Sequence, residues 1–217
     1  MPVTELATIP ITTPLPANTP LPSTLYQKLL HAKAVLESAA GYKFHYYRQI
    51  EDPSIFYILS RWSSVAAHAS FLPSPENQAL LELLKDDIDS EKMTMYHLDT
   101  DIFDVPEGKK GVIGVEGAEV VSLNRHFVSV EKKDGFREGF NGVKGLLEKY
   151  TEPWQVVGGW RIERESEGKE EWALFSGFES VEQHMGFAKT EEFERYKGIV
   201  GFVEGFEVRH LKSVEGL

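Results

Sequence analysis

His68 and His184 are the side chains best suited to chemistry. Each lies four residues after a serine of the helix-capping type, in Ser64-Val65-Ala66-Ala67-His68 and Ser180-Val181-Glu182-Gln183-His184. That spacing puts the imidazole in the first turn of a helix. An imidazole titrates near neutrality and can take a proton from a phenol or an enol. Such a transfer would begin either an oxygenation without a cofactor or an aldol cyclisation. The competing role is structural, with the ring packed at a helix end. The recurrence leans that way, because two active sites seldom survive a duplication.

His45 and Tyr47 are two residues apart on an extended segment and so share a face. Tyr57 of the next segment comes near them if the connecting turn is tight. A His-Tyr pair could orient and deprotonate a phenol; packing of aromatic rings is the plainer alternative. Asn124 and His126 share a face in the same way. His97 and His210 recur on the last strand of each half and read as sheet residues with satisfied rings. Tyr57, Trp62, Phe71, Asn124, Trp160 and Phe187 are candidates to line a site for a flat apolar ligand, although such rings more often form core. Arg48 and Arg161 occupy matching positions and suit a ligand carboxylate or a salt bridge. No metal site is expected: the chain has no cysteine, no H-E-x-x-H and no histidine pair at i, i+4. It also lacks a G-x-S-x-G nucleophile turn. The glycine-rich Gly111–Gly117 lacks the Lys and Ser/Thr of a phosphate loop and reads as a hinge.

Composition narrows the partners. The 217 residues carry 34 acidic and 23 basic side chains, a net charge of -11, which repels a phosphate backbone. Nucleic acid is therefore not an expected partner. No apolar stretch approaches the roughly 20 residues of a membrane span, and the N-terminus has no basic region followed by an apolar one. A cytoplasmic protein without membrane contact is the expectation.

These candidates sit in an internal repeat. Trp62-x-Ser64-Val65-x-x-His68 matches Phe178-x-Ser180-Val181-x-x-His184; Phe71 matches Phe187, Glu76 matches Glu192, Tyr96-His97-Leu98 matches Arg209-His210-Leu211, and Tyr47-Arg48 matches Trp160-Arg161. A hairpin three residues longer around Glu165–Lys169 reconciles the offsets. The first half reads as a strand over Val3–Ile9 and a connector rich in proline (Pro10, Pro14, Pro16, Pro20, Pro22). A helix capped by Ser23 or Thr24 then runs to Gly41, followed by strands over Tyr42–Gln49 and Ile55–Trp62. Helices opened by Ser64 and Ser74 and a strand over Met93–Asp99 complete it. The second half reads as a strand over Val120–Val130, a helix from an Asp134 cap to Tyr150, and a hairpin of Gln155–Glu163 with Trp172–Phe178. Helices from Ser180 to about Gly198 and a strand over Phe206–Val214 follow. Strand, helix, strand, strand, helix, strand is the ferredoxin-like order. The expected organisation is α+β: residues 1–105 as one ferredoxin-like half, 106–116 as a linker, and 117–217 as the second half.

Both faces of the hairpin strands are apolar. Phe56, Ile58 and Trp62 alternate with Ile55, Tyr57 and Leu59, and Trp172, Leu174 and Phe178 alternate with Ala173 and Phe175. A half-exposed strand would alternate apolar with polar, so the face without helices must also be covered. The other half's sheet is the simplest cover, giving a single-chain pseudo-dimeric α/β barrel that needs no partner copy. A monomer or weak homodimer is expected.

On the strand Tyr57-Ile58-Leu59-Ser60-Arg61-Trp62, the helix motifs bearing His68 and His184, Ser74-Pro75-Glu76 and Thr190-Glu191-Glu192, the chain resembles the dimeric α/β barrel superfamily. It looks most like the antibiotic-biosynthesis-monooxygenase type in the tandem form of uncharacterised fungal proteins. The resemblance implies a small-molecule enzyme that oxidises an aromatic or polyketide-like compound with molecular oxygen and no bound cofactor, or a polyketide cyclase. Two alternatives are a non-catalytic or stress-related barrel that holds a hydrophobic ligand, and a haem-binding or haem-degrading protein. For the haem-cleaving pattern Asn124 matches the first-strand Asn and His184 the helical His. Phe71 and Phe187 stand where that pattern has a Trp, which speaks against haem.

Overall fold

The computed structural model describes residues 2–13, 15–16 and 19–217. Pro14 of the connector lies outside the described residues. The chain forms two compact units: one comprises the residues up to Asp101 with Leu211–Leu217, the other Ile102–His210.

In the first unit β1 (Val3–Pro10), α1 (Ser23–Ala40), β2 (His45–Gln49), β3 (Ile55–Trp62), α2 (Val65–Phe71), α3 (Pro75–Leu84) and β4 (Thr94–Leu98) follow in order. The strands lie β4-β1-β3-β2 and every pair is antiparallel. The second unit repeats this with β5 (Val120–Ser129), α4 (Lys133–Tyr150), β6 (Val157–Trp160), β7 (Lys169–Phe178), α5 (Val181–Phe187), α6 (Glu191–Tyr196) and β8 (Val203–Ser213), in the strand order β8-β5-β7-β6. The last residues of β8, Leu211–Ser213, pair with β2 and belong to the first unit.

Each sheet buries one face under its own helices. In the first unit Ala7, Ile9, Phe44, Tyr46, Phe56, Ile58 and Trp62 meet Leu25, Leu29, Ala32, Leu80 and Leu84. In the second, Val120, Val128, Trp160, Leu174 and Phe178 meet Phe136, Phe140, Leu147, Phe187, Tyr196 and Ile199. The other face is buried as well, at Tyr47, Tyr57 and Leu59 in the first unit and at Val121, Leu123, Ala173 and Phe175 in the second. This is what two apolar faces require.

Ser64, Ser74, Ser180 and Thr190 each accept the backbone N–H three residues on, as N-caps do. Gly41 ends α1 at φ 75°, a conformation only glycine adopts without strain. Two expected caps are corrected. Pro22 precedes α1 with no side-chain cap, and Ser23 is already helical. Asp134 lies inside the first turn of α4, after a 3-10 turn at Val130–Lys132, where its charge favours the helix dipole and bonds Arg137 at 2.8 Å. Strand bounds also shift: β2 starts at His45, β6 spans only Val157–Trp160, β7 reaches back to Lys169, and β8 starts at Val203. The β6–β7 connection, 161–168, is three residues longer than the β2–β3 connection, 50–54.

Gly158 on β6 gives room to an indole. A Cβ there would stand 2.7 Å from the Trp172 ring and 2.8 Å from the Ala173 carbonyl oxygen. Gly158→Ala should therefore cost about 1–3 kcal/mol through overpacking, read as a lowered urea midpoint. An unchanged midpoint would mean that the indole moves aside freely.

Candidate functional site

The second unit holds a cavity of about 350 Å³ between sheet and helices. Its floor is the helix-facing side of the sheet: Asn124 and His126 from β5, Ser176 from β7, and Phe206, Val208 and His210 from β8. Its roof is Leu147 of α4, His184 and Phe187 of α5, Phe193 and Tyr196 of α6, and Ile199. The period-two alternation of β5 places Asn124 and His126 on this face together, as their spacing requires.

His184 and His210 are bonded to each other, Nδ1 to Nε2 at 2.7 Å. Local rules set the first ring. Ser180 caps α5, the His184 N–H reaches the Ser180 carbonyl at 3.2 Å, and the imidazole packs on Phe178 at 4.5 Å between centroids. The second ring comes from β8, the strand that pairs beside β5. One ring donates and the other accepts. If His184 takes a proton from a ligand, its Nδ1–H can point at the lone pair of His210, which spreads the new positive charge over two rings.

The first unit carries the same pair in sealed form. His68 Nδ1 and His97 Nε2 are 2.9 Å apart. His68 is only 3 % exposed, whereas His184 is half-buried. Trp62 stands where the second unit has Phe178, and its indole stacks flat on His68, 4.2 Å between centroids and 4° between planes. The register of β1 on β3 and of β5 on β7 aligns Glu5 with Ser122, Ala7 with Asn124 and Ile9 with His126. The Glu5 carboxylate accepts from Trp62 Nε1 at 2.6 Å and from Ser60 Oγ at 2.8 Å, and lies 4.0 Å from His68 Nδ1. Burial raises the pKa of Glu5, and these two hydrogen bonds partly oppose that shift.

The remaining candidates separate. Asn124, His184 and Phe187 share the second unit's cavity, where Asn124 Nδ2 donates to Ser122 Oγ at 2.9 Å. Trp160 is not on the cavity wall; it packs with Phe136 and Trp172 under the Lys133 ammonium, 4.6 Å from its ring. Trp62 and Phe71 pack on each other at 5.5 Å. His45, Tyr47 and Tyr57 lie on the sheet face away from the helices, by the alternation that puts Phe44, Tyr46, Phe56 and Ile58 in the helix-side core. The Tyr57 hydroxyl donates to Gln49 Oε1 at 3.2 Å. That triad and His68 are therefore on opposite faces of one sheet and do not form one site. His31 is exposed on α1. Sequence reasoning left out Ser176, Tyr196 and Phe206 and gave His210 only a structural role; its recurrence opposite a recurring helical histidine was the available signal.

Burial lowers the pKa of His126 from 6.5 to about 4, with a hydrogen bond to the Trp172 backbone acting weakly against it. His126 is therefore neutral at physiological pH. The unfolded chain binds its proton between about pH 6.5 and 4 while the folded chain does not, so stability falls as pH falls through that window. A shift from 6.5 to about 4 sets the loss at roughly 3 kcal/mol. Half-buried His45, also lowered to about 4 chiefly by burial and then by Lys33, adds a smaller part. Urea midpoints should drop steeply from pH 6.5 to 4, and His126→Phe should flatten the slope. An equal slope in the variant would assign the acid lability elsewhere.

No protein-family model matches the chain, and no curated protein is recognisably similar in sequence. Solved structures are similar over nearly the whole length. An anthrone oxidase-like protein superposes with a TM-score of 0.69 at 14% identity, covering 99% of this chain and 92% of that one. A Lactobacillus acidophilus protein assigned provisionally as a monooxygenase gives 0.60 at 12% identity over 98% and 94%. The chain has the dimeric α/β barrel fold. A chlorite dismutase variant from Candidatus Nitrospira defluvii, solved with cyanide, shares this barrel fold at 0.55 and 11% identity over 97% and 90%. Within the dimeric α/β barrel fold the two units are tandem ferredoxin-like α+β repeats. Among the described residues no helix is long and apolar enough to cross a membrane, and no group of three or more His, Asp or Glu side chains is placed to hold a metal ion.

Proposed function

We propose that the second unit binds a flat aromatic or polyketide-like molecule and that His184, backed by His210, removes the proton that starts its oxidation by molecular oxygen. The observation that carries this reading is the hydrogen-bonded imidazole pair opening onto an apolar cavity. The fold shared with an anthrone oxidase-like protein supports the substrate class by analogy. The CH₂ across the central ring from the ketone of an anthrone is acidic because its anion is an aromatic, phenolate-type enolate. His184 takes one proton and the carbanion carries its electrons to O₂, giving a hydroperoxide at that carbon once a proton returns to oxygen. Loss of water then leaves a carbonyl, so one oxygen atom ends in the product and the other in water. Asn124 Nδ2 stabilises the enolate oxygen.

The cavity is small for haem. A cavity of about 350 Å³ is at the small end of ligand sites, which run from about 300 to 1,000 Å³. It suits two or three fused rings better than a tetrapyrrole with its side chains.

The test is to mix the full-length protein with anthrone in air-saturated buffer and no added cofactor. The expected result is anthraquinone formation above the protein-free rate, one O₂ consumed per product, and no Soret band in the purified protein or after haem titration. Tight binding of anthrone with no acceleration would instead leave a protein that only sequesters aromatic ligands.

A further inference from the structure

Apolar side chains that stand in water are ordinary when scattered, but gathered at the edge of a cavity they mark a surface that something covers. Phe206, Met185 and Val200 are 57 %, 56 % and 50 % exposed, three of the four most exposed large apolar side chains among the described residues, and all three line the second unit's cavity. They come from separate elements: β8, α5, and the 3-10 run Lys197–Phe202 that leads from α6 into β8. We propose that this rim is a subsite for an unbranched alkyl chain carried by the aromatic ligand, with Phe206 as its principal specificity-determining residue. The proposal rests on the reading of the cavity as an aromatic-ligand site and narrows the substrate class to alkyl-substituted fused-ring aromatics.

The course of the chain follows from β8. Phe206, Val208 and His210 share one face of the strand by its period of two, and all three line the cavity. Glu207, on the opposite face, pairs with Arg125 at 3.1 Å. Exposure rises outward along the cavity face, from buried His210 through half-buried Val208 to exposed Phe206. At about 3.4 Å per residue the track from His210 to Phe206 is roughly 13–14 Å long. Rings seated against His184 and His210 lie at its closed end, and a substituent pointing outward runs over Val208 to Phe206, toward the rim that Met185 and Val200 also form. A hydrocarbon suits this rim better than an acid. Apart from histidines, Lys197 is the one charged side chain on the wall, and its ammonium is already paired with Glu194 at 2.6 Å. The first unit lacks such a rim. Ala69 stands at the position of Met185, and Met93 and Met95, which match Phe206 and Val208 in the repeat, are half-buried against the helix-side core.

The test titrates 2-methylanthraquinone and 2-pentylanthraquinone into the full-length protein and follows quenching of intrinsic fluorescence. Each CH₂ fully withdrawn from water tightens binding by about fourfold, so wild type should bind the compound with the longer, partly covered chain about tenfold more tightly or better. The double variant Met185→Gln with Phe206→Ser should cut that ratio below about threefold. Ile162→Ser, which changes an exposed apolar residue away from the cavity, should preserve it. Methionine methyl spectra read the rim in wild type itself: of the four methionines, Met185 should respond to the pentyl compound and much less to the methyl one. Equal or weaker affinity of wild type for the pentyl compound would overturn the alkyl subsite while leaving the cavity as a ligand site. A tenfold ratio retained in the folded double variant, or a Met185 signal blind to both compounds, would also overturn it. Sedimentation showing a wild-type dimer that Phe206→Ser dissociates would give the rim to a second copy of the chain instead. Failure of wild type to bind either compound would sink both this proposal and the aromatic-ligand reading beneath it.

Discussion

His184→Ala should lower the rate of anthrone oxidation by about 10²- to 10⁴-fold, the usual contribution of a positioned general base, with ligand affinity changed only a few-fold. His184 is half-buried and on the cavity wall, and its Nδ1 is tied to His210 at 2.7 Å, so it can pass charge to a second ring. His210→Ala should cost less, because His184 remains in place and loses only the partner that shares its charge. His68→Ala should leave turnover within about twofold of wild type, since His68 is 3 % exposed under Trp62 and does not line the second unit's cavity. Steady-state kinetics on variants checked for folding by circular dichroism decide the matter. If His68→Ala were as damaging as His184→Ala, the two histidine pairs would share one function and the asymmetry between the units would not matter.

Trp62→Ala should be among the most destabilising single changes in the chain, at about 3–5 kcal/mol for a large buried aromatic. The indole is 2 % exposed, stacks on His68, packs edge-on against Phe44 at 6.2 Å and donates to Glu5 at 2.6 Å. Removing it opens a cavity and deprives Glu5 of a hydrogen bond in a place where water is scarce. At roughly 2–4 °C per kcal/mol for a chain of this size, the melting point should fall by about 6–20 °C. Trp62→Phe, which restores the residue found at the matching position of the second unit, should cost clearly less. Oxidation below the melting point should be unaffected by either change. A loss under about 1 kcal/mol for Trp62→Ala would mean that the first unit's histidine pair is not held by this stack.

The sequence made much of this legible, and the rest was hidden for identifiable reasons. Capping serines and prolines are local signals, and Ser64, Ser74 and Ser180 open helices where their types demand it. Alternation on β3 and β7 announced two apolar faces, and both are buried. Asp134 misled because an acidic residue is favoured both as a cap and inside the first turn. His184 and His210 are 26 residues apart, and only the pairing of β8 beside β5 brings the rings together. The repeat flagged all four histidines without saying that they pair. Likewise His45 and Tyr47 were correctly placed on one strand face, but which face carries the helices depends on the packing of Tyr46 and Phe44 into the core. The difference between a sealed and an open pair rests on Glu5 against Ser122 and Trp62 against Phe178. The repeat already sets Trp62 against Phe178, whereas Glu5 against Ser122 is visible only once the strand register is known.

The most direct measurement is a crystal structure of the full-length protein soaked with a fused-ring aromatic such as anthraquinone. The expected result is ligand density in the second unit's cavity, against His184 and over Asn124, with the Trp62 indole still stacked on His68 and no ligand beside it. Density elsewhere, or a ligand displacing Trp62 in the first unit while the second unit stays empty, would contradict the assignment of function to the open histidine pair.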